Sequence, residues 1–231
     1  MANNKIKVID GVYPVNVYSS TYKDGTDISL ADDLEINKWK SKKWLLIGDS
    51  ITWQDGKDYS DGSGLSKGYQ SYVAERLGLI LTNTASSGQS AGGYWKSNST
   101  KDYSGYDVVT IMLGTNLLES GGVGLVSTSN YDTNTFCGAY QSIIERILFT
   151  NPTCFLVLIT PPPFFVNNYK LQVVEKIDEI ATMYSLPKCD FYRNSGVNKI
   201  NYTKYYRDNV HPNNLGYERL GTYLTKFIKQ F

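Results

Sequence analysis

The chain has 231 residues, with 23 Lys plus Arg against 22 Asp plus Glu and a formal net charge of +1. That balance argues against a nucleic-acid or anionic-membrane partner, which normally needs a basic face. A chain of this length buries roughly 70–75% of the surface its unfolded form exposes, which allows one larger α/β domain without a staple.

In chain order, residues 1–43 carry two short strand-like pieces, KIKVID and YPVNVYSS, and a polar stretch containing KWKSKK. They predict a β appendage or arm, against the plainer reading of a partly disordered leader. From Trp44 onward, over 44–231, strand-like and helix-like segments alternate. WLLIG (44–48) is an apolar run ending in glycine, and GYQSYVAERLG (68–78) places Tyr69, Tyr72, Val73 and Leu77 on one helical face. LILTN (79–83) and DVVTIMLG (107–114) predict two more strands. NTFCGAYQSIIERILF (134–149) predicts a helix, CFLVLIT (154–160) a fourth strand, and YKLQVVEKIDEIATMYS (169–185) another helix. KCDFY (188–192) is a candidate fifth strand, and Leu220, Leu224, Phe227, Ile228 and Phe231 stripe a final helix. Near-continuous apolar strands between amphipathic helices predict a parallel sheet covered on both faces, with its active site outside the carboxyl ends of the strands. Residues 84–106 and 117–132 read as long Gly/Ser/Asn-rich loops, a length that points to function.

Cys137, Cys154 and Cys189 are odd in number and far apart, so they signal neither a disulfide framework nor a zinc site. The start, MANNKIKVID, lacks the apolar stretch of a signal peptide, and no apolar run reaches membrane-spanning length. The expectation is a soluble protein whose compartment stays open: cytoplasmic, or part of a larger secreted or virion-associated protein.

Gly48-Asp49-Ser50 ends the first apolar strand. Small polar residues there make an ordinary strand exit; they also suit a serine nucleophile at the carboxyl end of a central strand. The chain has a single histidine, His211, in RDNVHPNNLGY. A lone histidine is most often structural, but Asp208 lies three residues earlier, in reach of its ring, and the pair directly precedes the last helix. A serine nucleophile needs such a base, and the base needs an orienting acid. NTASSGQSAGG (83–93) and MLGTNLLES (112–120) follow the second and third strands. Gly88 there offers a backbone donor and Asn116 a side-chain amide for a developing oxyanion. Taken singly, both are equally well turn residues.

The ordered set is more specific than its members. Gly48-Asp49-Ser50, Gly88, Gly114-Thr115-Asn116 and Asp208-Asn209-Val210-His211, with the tail HPNNLGY, resemble in type and order the SGNH hydrolases, the superfamily of GDSL esterases and lipases. The resemblance spans roughly residues 44 to 231. It implies a flavodoxin-like three-layer α/β/α sandwich on a five-stranded parallel sheet. It also implies Ser50 as nucleophile, His211 as base and Asp208 as its partner, with Ser50, Gly88 and Asn116 forming the oxyanion hole. No metal or cofactor is implied. Ile51 stands where the family's first block has leucine, Ala85 where a glycine is frequent, and Leu117 where many members carry an aspartate that braces the loop. A rearranged loop is therefore expected after Asn116.

The 19 tyrosines and four tryptophans suggest sugar as the alcohol, because amphipathic rings suit sugar faces. Asp49, Trp53, Tyr94 and Trp95 are the candidate substrate contacts, with Tyr59 and Tyr103 among the aromatics expected on the active-face loops. The expected substrate is a small-molecule or glycan ester, most simply an acetylated carbohydrate. A lysophospholipid or small-ester lipase is the alternative within the enzyme class. An attachment module that binds glycans through a degenerate esterase site is the alternative outside it. The 1–43 arm is a candidate for pairing edge strands between protomers.

Overall fold

A computed structural model of the chain describes residues 6–10, 13–17, 37–59, 62–163 and 169–231. Two compact units divide between Lys38 and Trp39. In the first, β1 (Ile6–Asp10) and β2 (Tyr13–Val17) form an antiparallel hairpin in which Ile6 faces Val17 and Asp10 faces Tyr13. Residues 18–36 of the expected arm lie outside the described residues.

The second unit is built on five parallel strands: β3 (Lys43–Gly48), β4 (Ile80–Asn83), β5 (Val108–Met112), β6 (Phe155–Ile159) and β7 (Lys188–Cys189). Their spatial order is β4-β3-β5-β6-β7. This is the flavodoxin-like α/β sandwich. The alternation of side chains along each strand feeds two separate cores. Leu45, Ile47, Val109, Ile111, Leu156 and Leu158 point to one face, and Trp44, Leu46, Val108, Met112, Val157 and Ile159 to the other. The first face is covered by α4 (Phe136–Thr150) and α5 (Tyr169–Met183), the second by α2 (Tyr69–Leu77) and α8 (Asn214–Ile228). Burial on both sides explains why these strands read as unbroken apolar runs.

Two expectations need correction. The stretch 84–106 is not one long loop, because it contains α3 (Ala91–Asn98). Ser90 caps it by accepting the Gly93 N–H at 3.1 Å, and buried Ala91 and Tyr94 hold it to the core. The strand within 188–192 stops after two residues. Asp190 turns the chain into the short α6 (Phe191–Asn194) by accepting the Arg193 N–H at 3.0 Å.

The sheet order makes the chain step outward from β3 to β4 and then back past β3 to β5. The loops leaving β3 and β5 therefore diverge, and a crevice opens at the carboxyl ends of these central strands. The Gly48-Asp49-Ser50 turn falls there. Among the described residues, no helix is long and apolar enough to cross a membrane.

Candidate active site

Ser50 begins the four-residue helix α1 (Ser50–Trp53). Asp49 caps it, its Oδ1 accepting the Ile51 N–H at 3.0 Å. The helix is fixed at its other end by the Thr52 carbonyl, which accepts the side-chain amides of Gln70 at 2.7 Å and Asn83 at 2.9 Å. Glycine at 48 is a steric requirement: a Cβ there would stand 2.7 Å from Thr52 Cβ and closer still to Thr52 Oγ1. Strand β3 and α1 can fold back this tightly only without a side chain at the bend.

His211 reaches the same point from the other end of the chain. The segment before α8, which follows the short α7 (Tyr202–Tyr205), closes on itself, with the Arg207 N–H donating to the His211 carbonyl at 3.0 Å and Tyr206 bridged to Pro212. Asn213 then caps α8 by accepting the Gly216 N–H at 3.0 Å. In this frame His211 Nε2 lies 3.0 Å from Ser50 Oγ, and its Nδ1 lies 2.9 Å from Asp208 Oδ2. An ionised carboxylate only accepts hydrogen bonds, so Nδ1 is the donor, which leaves the Nε2 lone pair for the Ser50 hydroxyl. Burial alone would raise the Asp208 pKa. The N–H groups of His211 and Val210 and the His211 ring outweigh it and hold the carboxyl below its ordinary value.

Gly88 sits in the turn after β4 at φ +73°, and Gly114 in the turn after β5 at φ +116°. A Cβ on Gly114 would lie 2.5 Å from Val173 Cγ1, so only glycine lets this loop pass beneath α5. Two residues on, Asn116 Nδ2 donates to the Gln89 carbonyl at 3.2 Å, which joins the two loops that carry Gly88 and Asn116.

Leu117 is partly buried, with its side chain packed against the core. Glu119 supplies a carboxylate instead: Oε1 accepts the Gly92 N–H at 2.7 Å and Oε2 the Leu118 N–H at 3.0 Å. This residue, which ties the loop after Asn116 to the start of α3, was missed from sequence. Only its place shortly after Gly114-Thr115-Asn116 hinted at it.

The expected substrate contacts fare unevenly. Asp49 is wholly buried beneath α1, and Tyr94 is buried with its hydroxyl 3.1 Å from that of Tyr103, also buried. Burial pushes the Tyr94 phenol far above its ordinary pKa. Neither Asp49 nor Tyr94 offers surface to a substrate: the aromatic content of this segment closes the core. Tyr59 is likewise buried and donates to Asn214 Oδ1 at 2.8 Å. Trp53 is 37% exposed, with Lys57 Nζ 4.7 Å above its ring. Trp95 is half-buried and lines a groove described below. Among the described residues, no group of three or more His, Cys, Asp or Glu is placed to hold a metal ion.

Residues 46–219 match the GDSL-like Lipase/Acylhydrolase family. No curated protein matches the chain significantly. Among solved structures, a possible lipase from Chitinophaga pinensis is 23% identical, with a TM-score of 0.67 over 82% of this chain and 98% of its own. The lipase/acylhydrolase from Enterococcus faecalis is 21% identical, with a TM-score of 0.60 over 82% and 96%. A carbohydrate esterase family 2 enzyme with a carbohydrate-binding domain, from Corynascus thermopiles, is 19% identical, with a TM-score of 0.58 over 82% of this chain and 66% of its own. At these identities the structural likeness is one of fold.

Proposed function

Because the chain belongs to the GDSL-like lipase/acylhydrolase family and is a carboxylic ester hydrolase, we propose that it is a serine esterase acting on short O-acyl groups, chiefly acetyl, carried by a carbohydrate. The observation that carries this reading is the hydrogen-bonded chain Ser50 Oγ, His211 Nε2, His211 Nδ1, Asp208 Oδ2, with steps of 3.0 and 2.9 Å across the two contacts between residues.

In this reading Ser50 Oγ attacks the ester carbonyl while His211 Nε2 takes its proton, and Asp208 stabilises the imidazolium. The backbone N–H groups of Ser50 and Gly88 and the Asn116 amide receive the oxyanion. Collapse expels the alcohol, protonated by His211, and leaves an acyl-enzyme. Water then attacks, giving its proton to His211; the acid departs and Ser50 recovers the proton. No step calls on a metal. The carbohydrate preference draws support from Trp95 in the groove and from the fold shared with a carbohydrate esterase.

The test is hydrolysis of p-nitrophenyl acetate, butyrate and octanoate by the native protein and by Ser50→Ala. The expected result is acetate turnover that falls by roughly 10⁶ in kcat in the variant. Preference for octanoate would move the substrate to lipid esters. Turnover no greater than that of Ser50→Ala on every one of these esters and on O-acetylated oligosaccharides would overturn the reading in favour of a glycan-binding module.

A further inference from the structure

A groove of about 400 Å³ runs between α3 and the loop that follows Asn116. That volume lies within the range of about 300–1,000 Å³ usual for small-molecule sites. Trp95 and Lys96 of α3 form one wall, and Leu118, Glu119, Ser120 and Asn134 the other. We propose that this groove is the subsite holding a sugar ring of an O-acetylated glycan next to Ser50, with Trp95 as the stacking surface and Glu119 as the acceptor for its hydroxyls.

Three observations carry this inference, which rests on the esterase reading. The first is position. Ser90 on the groove's edge is two residues beyond Gly88, and Leu118 is two residues beyond Asn116. Two residues span at most about 7 Å, so the groove's near edge at Ser90 and Leu118 lies within that reach of the residues proposed as oxyanion donors. The bond from Asn116 to the Gln89 carbonyl keeps the two starting points together. The second is chemistry. Each Glu119 oxygen already accepts one backbone N–H, which fixes the carboxylate, and each keeps a lone pair for a hydroxyl donor. An acyl chain laid here would desolvate a carboxylate and give it nothing in return. A sugar presents both an apolar face for Trp95 and hydroxyls for Glu119. The third is the wall's rigidity. A Cβ on Gly92 would come within 3.2 Å of Glu119 Cγ, so the bare helix start gives the carboxylate room to pack closely against it.

The test compares kcat/KM for p-nitrophenyl acetate with that for a panel of O-acetylated xylo-, manno- and N-acetylglucosamine oligosaccharides. It is run on the native protein, Trp95→Ala, Trp95→Phe and Ser120→Trp. Ser120 is exposed on the rim, so filling the groove from there leaves the core untouched and serves if Trp95→Ala fails to fold. The ratio of oligosaccharide to p-nitrophenyl acetate activity should fall at least tenfold in Trp95→Ala and Ser120→Trp, mainly through KM, and recover in Trp95→Phe. An unchanged ratio in Ser120→Trp would overturn the inference. So would a native protein that cleaves p-nitrophenyl acetate but none of the oligosaccharides, an outcome that leaves the esterase reading standing. A native protein no better than Ser50→Ala on all of them removes both.

Discussion

Asp208 meets His211 twice: its Oδ1 accepts the His211 backbone N–H at 2.6 Å, and its Oδ2 lies 2.9 Å from Nδ1 of the same residue's ring. One carboxylate thus shapes the loop and sets the ring's tautomer. Asp208→Asn separates the two roles. The amide oxygen can still close the loop, but the NH₂ now faces Nδ1 and favours the tautomer protonated at Nε2. Ser50 then loses its acceptor. We expect kcat on p-nitrophenyl acetate to fall by about 10⁴ with a melting temperature close to that of the native protein. A large fall in melting temperature would make the role of Asp208 chiefly structural.

Gly48→Ala tests the bend that presents Ser50. The new methyl would meet Thr52 Cβ at 2.7 Å, and both atoms belong to short, stiff side chains. Relief requires α1 to shift. Overpacking of this kind costs about 1–3 kcal/mol, or roughly 2–12 °C in a chain of this size. Activity should fall further than stability alone accounts for, because Ser50 is the first residue of the displaced helix. A variant that melts normally and keeps full kcat would show that the bend has slack.

Acid should destabilise the fold, and two of the carboxylates responsible, Asp190 and Asp208, are partly withdrawn from solvent. Asp190 is buried, which by itself would raise its pKa. The Arg193 N–H and guanidinium, with Lys188, overcome this and leave it lowered. Asp208 is lowered for a similar reason. A carboxyl with a lowered folded-state pKa adds stability above its unfolded value of about 3.9, and that stability is lost as pH falls through the folded value. Melting temperature should therefore decline as pH drops below about 4. Asp190→Asn should melt lower at pH 7 and show a shallower decline; parallel curves would remove Asp190 from the cause.

Much of this architecture was legible in sequence where one requirement dominated. Val109 and Ile111 feed one core while Val108 and Met112 feed the other, and that double burial writes an apolar run with one reading. The pairing of His211 with Ser50 was legible because the chain offers only one histidine. Helix α3 was not. Ala-Gly-Gly-Tyr-Trp-Lys-Ser-Asn has poor intrinsic helix propensity; the Ser90 cap, the Glu119 bond to Gly92 N–H and the burial of Tyr94 stabilise it, and all but the cap are tertiary. The same hidden burial misled the reading of Tyr94, since a tyrosine closing a core and one facing a substrate look alike in a Gly-rich segment. Glu119 was invisible for a related reason: its partners come from α3, a helix the pattern did not reveal.

The three cysteines should be inert, and this separates serine from thiol chemistry in the intact protein. Burial raises Cys137 and Cys154 to about 11 and Cys189 well above its ordinary value. The thiolate is the reactive form, and at pH 8 a pKa near 11 leaves about 0.1% of it, on the order of 100-fold less than an unperturbed thiol has. Cys137 and Cys189 are also sealed from solvent, so Cys154 is the one accessible to reagent. Native protein should react with 5,5′-dithiobis(2-nitrobenzoate) at no more than one site, and slowly, while unfolded protein releases three equivalents, one for each of Cys137, Cys154 and Cys189. Esterase activity should survive iodoacetamide, because none of these thiols contacts Ser50 or His211 among the hydrogen bonds that hold them. It should be lost to phenylmethylsulfonyl fluoride, with the label found on Ser50. Rapid inactivation by iodoacetamide would place a cysteine at the reacting centre and displace Ser50 from the role proposed for it.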